Sequence, residues 1–275
     1  TPKPSSAASD VYKRQIKYFP VMLRLARYET RAKYKDHSLG VLWDVINPVM
    51  QIATYWLVFG IGLRQGGTTD GVPYVGWLVI GQATWLFLNT SFMDATWSIR
   101  NNVRQVSKMN FPISIMPTVR TWINVIPFAI TLAVGVLIAV GSGVHLTMHA
   151  FQFVYYFLAM LAFLHALGIF NATITVLFPD YQQLIQTIMR FVFWFSGAVI
   201  DIAAKLGPDH ARIGRLIELN PFYYLISGVR DSFLSTGWIW DHPSQNLAFW
   251  MFVLVVLLLG SHLHLKFRAY FADLV

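Results

Sequence analysis

The sequence predicts an all-α integral membrane protein with six transmembrane helices, and three observations carry that expectation. Only 12% of the 275 residues are charged while 56% are hydrophobic, whereas a soluble domain carries about 25% charge. Charge-free runs long enough to cross a bilayer core, roughly 20 residues each, recur along the chain. Lys and Arg crowd one alternate set of the connecting segments, as they do on the inner face of membrane proteins. The same composition excludes a disordered chain, and the lack of Cys excludes a disulfide-stapled domain and a Cys-ligated zinc site.

In chain order, residues 1–43 read as a cytoplasmic N-terminus holding an amphipathic interfacial helix. Pro20 suits a first helical turn, and Val21, Leu25, Tyr28 and Ala32 recur on one helix face. That face is expected to rest on the inner leaflet, with Arg24, Arg27, Arg31, Lys33 and Lys35 beside anionic headgroups. The alternative is an ordinary positively charged flank. No apolar core precedes residue 40, so a cleavable signal peptide is not expected.

Residues 44–265 form the six-span domain. Residues 45–63 and 72–93 supply the first two spans. The charge-free stretch 121–179 is too long for one crossing and divides into a third and a fourth at Gly141, Ser142 and Gly143. Residues 184–202 supply the fifth, interrupted by Arg190, and 246–265 the sixth, which leaves 266–275 as a cytoplasmic tail. With an even span count both termini share a side. On that side lie the nine Lys and Arg before the first span, Arg100, Arg104, Lys108, Lys266 and Arg268; Arg64, Lys205, Arg212, Arg215 and Arg230 lie opposite. Both termini are therefore expected in the cytoplasm, and the net charge of +8 reflects topology rather than nucleic-acid binding.

Three further features bear on function. Residues 98–112 place Ile99, Val103 and Val106 on one side of a short helix and Arg100, Arg104 and Lys108 on another, ended by Pro112; the segment is either a solvated connector or a lever that passes a push from a cytoplasmic subunit. Residues 203–243 lie outside, and Asn220-Pro221 opens an aromatic run, 222–234, too short to cross. It reads as a re-entrant helix or as an external lid. Arg190 sits within a span, where a charge costs about 2.5–3.5 kcal/mol; it binds a substrate phosphate, snorkels to headgroups, or pairs with Asp94 or Asp180. The chain has no G-x-x-x-x-G-K-[ST] loop, no H-E-x-x-H and no closely paired acids, so neither a nucleotide site, a metal site nor catalysis is expected in it.

Several strings carry a family resemblance. Arg31-Ala32-Lys33-Tyr34, Ser38 to Trp43 and Asn47-Pro48 resemble the approach to the first span in permeases of polysaccharide and polyol-phosphate ABC exporters; Val106 to Pro112 resembles their coupling segment. Asn220-Pro221-Phe222-Tyr223-Tyr224 with Arg230 resembles their external helix, and Lys266-Phe267-Arg268 through Phe271-Ala272-Asp273 their tail. Within the group the strings are most similar to teichoic acid translocation permeases. The stretch Trp194 to Ala198 departs from the pattern in lacking a proline near the outer end of the fifth span. The resemblance implies a homodimer in a bacterial plasma membrane, joined to two ATP-binding cassette subunits that hold ATP and Mg, with a lipid-linked teichoic acid as cargo and no cofactor in this chain. It implies coupling through Arg100, Val103, Arg104, Lys108, Asn110 and Phe111. Aromatic rings stack on sugars, so Tyr55, Trp56, Trp85, Phe87, Trp122 and Trp194, with Arg190, are the candidate pathway. Export of capsular or O-antigen polysaccharide by the same mechanism is the alternative, and a membrane enzyme acting on polyprenyl-linked sugars is the reading of a different class.

Overall fold

The computed structural model describes residues 9, 13, 15, 17–34, 40–63, 68–69, 71–106, 113–206, 210–267 and 271. Its main helices are α1 (Phe19–Tyr34), α2 (Trp43–Tyr55, running on as a π-helical stretch, Trp56–Leu63), α3 (Tyr74–Val106), α4 (Met116–Gly141) and α5 (Phe153–Leu177). There follow α6 (Tyr181–Phe195), α7 (Ile202–Lys205), α8 (Ala211–Glu218), α9 (Pro221–Leu234) and α10 (Pro243–Phe267). A short antiparallel ribbon, β1 (Thr68–Thr69) with β2 (Val72–Pro73), links α2 to α3, Thr69 facing Val72.

Four described helical segments are long and apolar enough to cross a membrane: Trp43–Gly62, Ile113–Gly141, Met148–Leu177 and Pro243–Phe267. α3 has the length, 33 residues or about 50 Å, but Gln82, Asn89 and Asp94 interrupt its apolar course. α6 has only 15 residues, about 22 Å, and stops short of the hydrocarbon thickness of about 30 Å. The continuous fifth helix expected over 184–202 is thus corrected. The chain leaves the helix after Phe195, where the Ser196 hydroxyl turns back to donate to the Phe193 carbonyl at 2.7 Å and Gly197 takes φ +72°, a conformation that favours glycine.

α3, α4 and α5 pack side by side and α10 lies along α5, so the core is a slab of buried Leu, Ile, Phe and Met between them. The molecule has two ends. At one, α1 packs on the start of α4, near the last turns of α3, α5 and α10; at the other, α9 packs on the starts of α3 and α5. These are called the α1 face and the α9 face below.

The helix α1 exists: it buries Met22 and Ala26 against Ile115, Val119 and Ile123, and leaves Tyr28, expected toward the leaflet, 69% exposed. Phe19 meets the Trp122 ring edge-on at 5.8 Å, and Glu29 forms an ion pair with Arg120 of α4. The short separate helix expected over 98–112 is instead, through Val106, the end of α3; residues 107–112 lie outside the described residues.

Candidate functional site

A chemically mixed groove of about 490 Å³ lies between α2, α3 and α6. Gln51 and Tyr55 come from α2, Trp85, Asn89 and Met93 from α3, and Gln186, Met189, Arg190, Phe193 and Trp194 from α6. The spacings follow from the helix repeat: Trp85, Asn89 and Met93 are four apart, and Gln186, Met189, Arg190 and Phe193 are three or four apart, so each set lines one face. Phe193 is the centre of an aromatic group, its ring 5.6 Å from Tyr55, 5.2 Å from Trp85 and 5.2 Å from Trp194. Three amides and one guanidinium share this wall with four aromatic rings. Arg190 is exposed to the groove and pairs with neither Asp94 nor Asp180.

Tyr55, Trp85, Arg190 and Trp194 of the expected pathway therefore meet in one place. The other three do not join them. Trp56 points to an apolar hollow shared with Val79 and Ile138, Phe87 is buried in a 4.4 Å stack on Phe128, and Trp122 serves the α1 contact. The amides Gln51, Asn89 and Gln186 are not among the residues expected from the sequence, although a polar side chain in an apolar helix is costly enough to be a signal in its own right.

Gln82 stands on the same face of α3, seven residues before Asn89. It is 0% exposed and neither amide atom has a hydrogen-bond partner among the described residues. An orphaned buried polar group costs about 1–3 kcal/mol. Gln82→Leu is expected to raise the thermal unfolding midpoint of the purified chain, since an unpartnered amide leaves the core; a lowered midpoint, read by differential scanning fluorimetry, would contradict this.

Behind the groove, at the α9 face, lies a clamp. Asn220 caps α9, accepting from the Phe222 amide at 3.0 Å, and Pro221 opens its first turn. Phe222 and Tyr224 are core residues, Phe222 lying 5.8 Å from Trp85 and Tyr224 sharing a 3.2 Å hydroxyl contact with Tyr155. Tyr223 donates to Asp201 at 2.9 Å, and burial together with that carboxylate pushes its phenol above the usual range. Arg230, expected as an external cation, is 4% exposed. Its Nε donates to the Trp77 carbonyl at 2.9 Å, and its two terminal nitrogens donate to Gly197 and Ala198 carbonyls at 2.7 Å each. Its guanidinium also lies 3.3 Å from the centre of the Trp77 ring. The carbonyls left bare where α6 breaks are thereby satisfied. Gly81 makes room, since a Cβ there would come within 1.8 Å of the guanidinium.

At the α1 face, Arg24, Arg27 and Arg31 are exposed; the side chain of Lys33 and all of Lys35 lie outside the described residues. Arg100 turns inward and donates to the Thr175 carbonyl at 3.4 Å, in the last turn of α5, where a cation is favoured. The side chains of Val103 and Arg104, and Lys108, Asn110 and Phe111 entirely, lie outside the described residues. No group of three or more metal-ligating side chains occurs among the described residues.

Together the long apolar helices and the broken sixth helix define an all-α integral membrane protein. Residues 21–234 match the family of ABC-2 type transporters, and the chain belongs to that family. It is similar to the O-antigen export system permease protein RfbA of Myxococcus xanthus, at 24% identity over 216 residues, covering 78% of this chain and 81% of that protein. Two proteins of the same name from Klebsiella pneumoniae are 22% identical over 259 residues and 23% over 270, each alignment covering 94% of this chain and 95% of the relative.

Proposed function

We propose that this chain is the permease subunit of an ATP-driven exporter of lipid-linked polysaccharide of the O-antigen class. It works as a homodimer in a bacterial plasma membrane, with α3 and α6 completing six crossings and both termini in the cytoplasm at the α1 face. Two ATP-binding cassette subunits dock on that face and hold ATP and Mg. The end of α3 and residues 107–112, with Arg104, Lys108, Asn110 and Phe111, carry their push. α9 forms the external re-entrant helix. The names of the relatives support the O-antigen class over the teichoic acid expected at first.

The observation that carries the reading is the groove. Rings stack on sugar faces while amides exchange hydrogen bonds with hydroxyls, and a single guanidinium suits one diphosphate linkage better than a polymer charged at every repeat. Exposed apolar residues flank it on both sides, Leu57, Val58 and Ile61 of the first span and Leu184, Ile188 and Phe191 of α6, a surface that a second copy of the chain completes.

The test is co-expression with an ATP-binding cassette subunit, followed by purification in nanodiscs and measurement of ATPase stimulation by lipid-linked glycan. Co-purification and stimulation are expected. Arg190→Gln is expected to raise the cargo concentration for half-maximal stimulation about tenfold, since a charge-assisted contact contributes about 1.5–3 kcal/mol. Nucleotide hydrolysis by the purified chain alone would overturn the assignment.

A further inference from the structure

On α3 the polar residues Gln82, Asn89 and Thr96 recur every seven residues, two helical turns apart, and so share a face. Thr96 is satisfied within its own helix, its hydroxyl donating to the Phe92 carbonyl at 2.8 Å. Asn89 lines the groove. Gln82 lies about 10 Å beyond Asn89 toward the α9 face. It is buried, and neither its amide oxygen nor its amide nitrogen has a hydrogen-bond partner among the described residues. Every side chain of α2, α4, α5, α6 and α9, the helices packed on α3, is described, so no partner for Gln82 is overlooked on them.

Trp85 stands between Asn89 and Gln82. Its ring lies 5.2 Å from Phe193 of α6 and 5.8 Å from Phe222 of α9. Although the groove reaches it, Trp85 is only 4% exposed. Three rings from three helices therefore close the groove on the side of the α9 face, one helical turn short of the orphaned amide.

We propose that Gln82 is a further hydrogen-bonding contact for cargo hydroxyls, outward of the groove, and that the rings of Trp85, Phe193 and Phe222 are the gate in front of it. The proposal rests on the polysaccharide-exporter reading and deepens it. A glutamine amide donates two hydrogen bonds and accepts two, which matches the neighbouring hydroxyls of a sugar ring. Burying that amide with none of them made disfavours the closed arrangement, and the penalty is relieved when the gate parts and admits water or a hydroxyl. An apolar side chain of similar size carries no such penalty and holds the gate shut. The rings suit both states: closed, they pack on one another and exclude water, and parted, they turn flat faces to a passing sugar.

The test is cysteine labelling, for which the sequence is prepared because it contains no Cys. The full chain, with an ATP-binding cassette subunit in nanodiscs, is treated with a membrane-impermeant methanethiosulfonate. Asn89→Cys serves as the groove control and Leu164→Cys, fully buried on α5, as the core control. Without nucleotide, Gln82→Cys is expected to react about tenfold or more slowly than Asn89→Cys, since a buried thiol is labelled only through opening. Trp85→Ala is expected to raise the rate at Gln82→Cys about tenfold and to leave Leu164→Cys unchanged. With Trp85 intact, ATP turnover on a polyprenyl-diphosphate-linked glycan of neutral sugars is expected to raise it as well. A rate at Gln82→Cys that neither change moves overturns the gate, as does a rise shared by Leu164→Cys, which marks loosening of the whole bundle. For the contact itself, Gln82→Leu is expected to lower glycan-stimulated ATPase activity about fivefold, the factor one lost hydrogen bond implies, and Gln82→Asn, which keeps an amide, to lower it less. Undiminished stimulation in Gln82→Leu overturns the contact. The Trp85→Ala arm is also run on the chain alone. Failure of the ATP-binding subunit to co-purify sinks the exporter reading and leaves that arm to decide the gate, whereas co-purification with unmoved labelling sinks the gate only.

Discussion

Arg230→Met is expected to destabilise the purified chain by about 2–4 kcal/mol and to abolish export. The substitution keeps an unbranched side chain of similar reach but strands the carbonyls of Gly197 and Ala198, and removes the donor shared with Trp77. A hydrogen bond from a charged donor contributes about 1.5–3 kcal/mol, and less within a membrane, so the loss of three sets this range. Arg230→Lys is expected to recover only part of it, because an ammonium cannot present the planar fork that meets carbonyls from two elements at once. Thermal unfolding in detergent and proteolysis at 196–201 provide the measurements. An unchanged midpoint, with no new cleavage, would show that the break after α6 holds without the arginine.

Gly228→Val is expected to produce the other large loss, about 3 kcal/mol. A Cβ at this position of α9 would lie 2.0 Å from a ring carbon of Tyr156, which is itself 2% exposed on α5, and overpacking of a core costs about 1–3 kcal/mol or more. The check is a double-mutant cycle. Combining Gly228→Val with Tyr156→Ala is expected to cost less than the two single changes added together, because the void left by the ring accepts the new methyl groups. Strict additivity would mean that the glycine serves the backbone of α9 rather than its contact with α5.

Much of this architecture was legible in the sequence, and the parts that were not have physical causes. Charge-free runs locate α2, α4, α5 and α10 because hydrocarbon leaves no other choice for them. Asn220 and Pro221 announce α9 because capping is local, the acceptor lying two residues from the donor. That Met22 and Ala26 meet α4 is not legible locally, since Val21 and Met22 are equally apolar neighbours and only the surface of α4 decides between them. Arg230 read as one more external cation because its partners Trp77 and Gly197 are 153 and 33 residues away. The end of α6 was overrun for a similar reason: hydropathy continues through Val199 and Ile200, while a hydroxyl and one left-handed glycine turn the chain.

The candidate site divides in the same way. Rings on facing elements, Tyr55, Trp85 and Trp194, converge since each faces the groove from its helix. Phe87 and Trp122 belong to other faces, a distinction composition does not express. Gln51, Asn89 and Gln186 were visible as polar letters in apolar runs, but their convergence depends on how α2, α3 and α6 are placed side by side.

The uninterrupted course of α3 has a mechanical corollary. Trp77, gripped at one end, and Arg100, which meets the last turn of α5 near the other, are 23 residues apart on one helix, a distance of about 35 Å. Apart from Gly81 beside the grip, no proline or glycine lies between Trp77 and Val106 to absorb bending, so a tilt at the gripped end would be passed along the helix as by a stiff tiller. Swinging it by about 5° about its gripped end carries the far end about 3 Å, enough to exchange one set of side-chain contacts for another across the whole thickness of the bilayer.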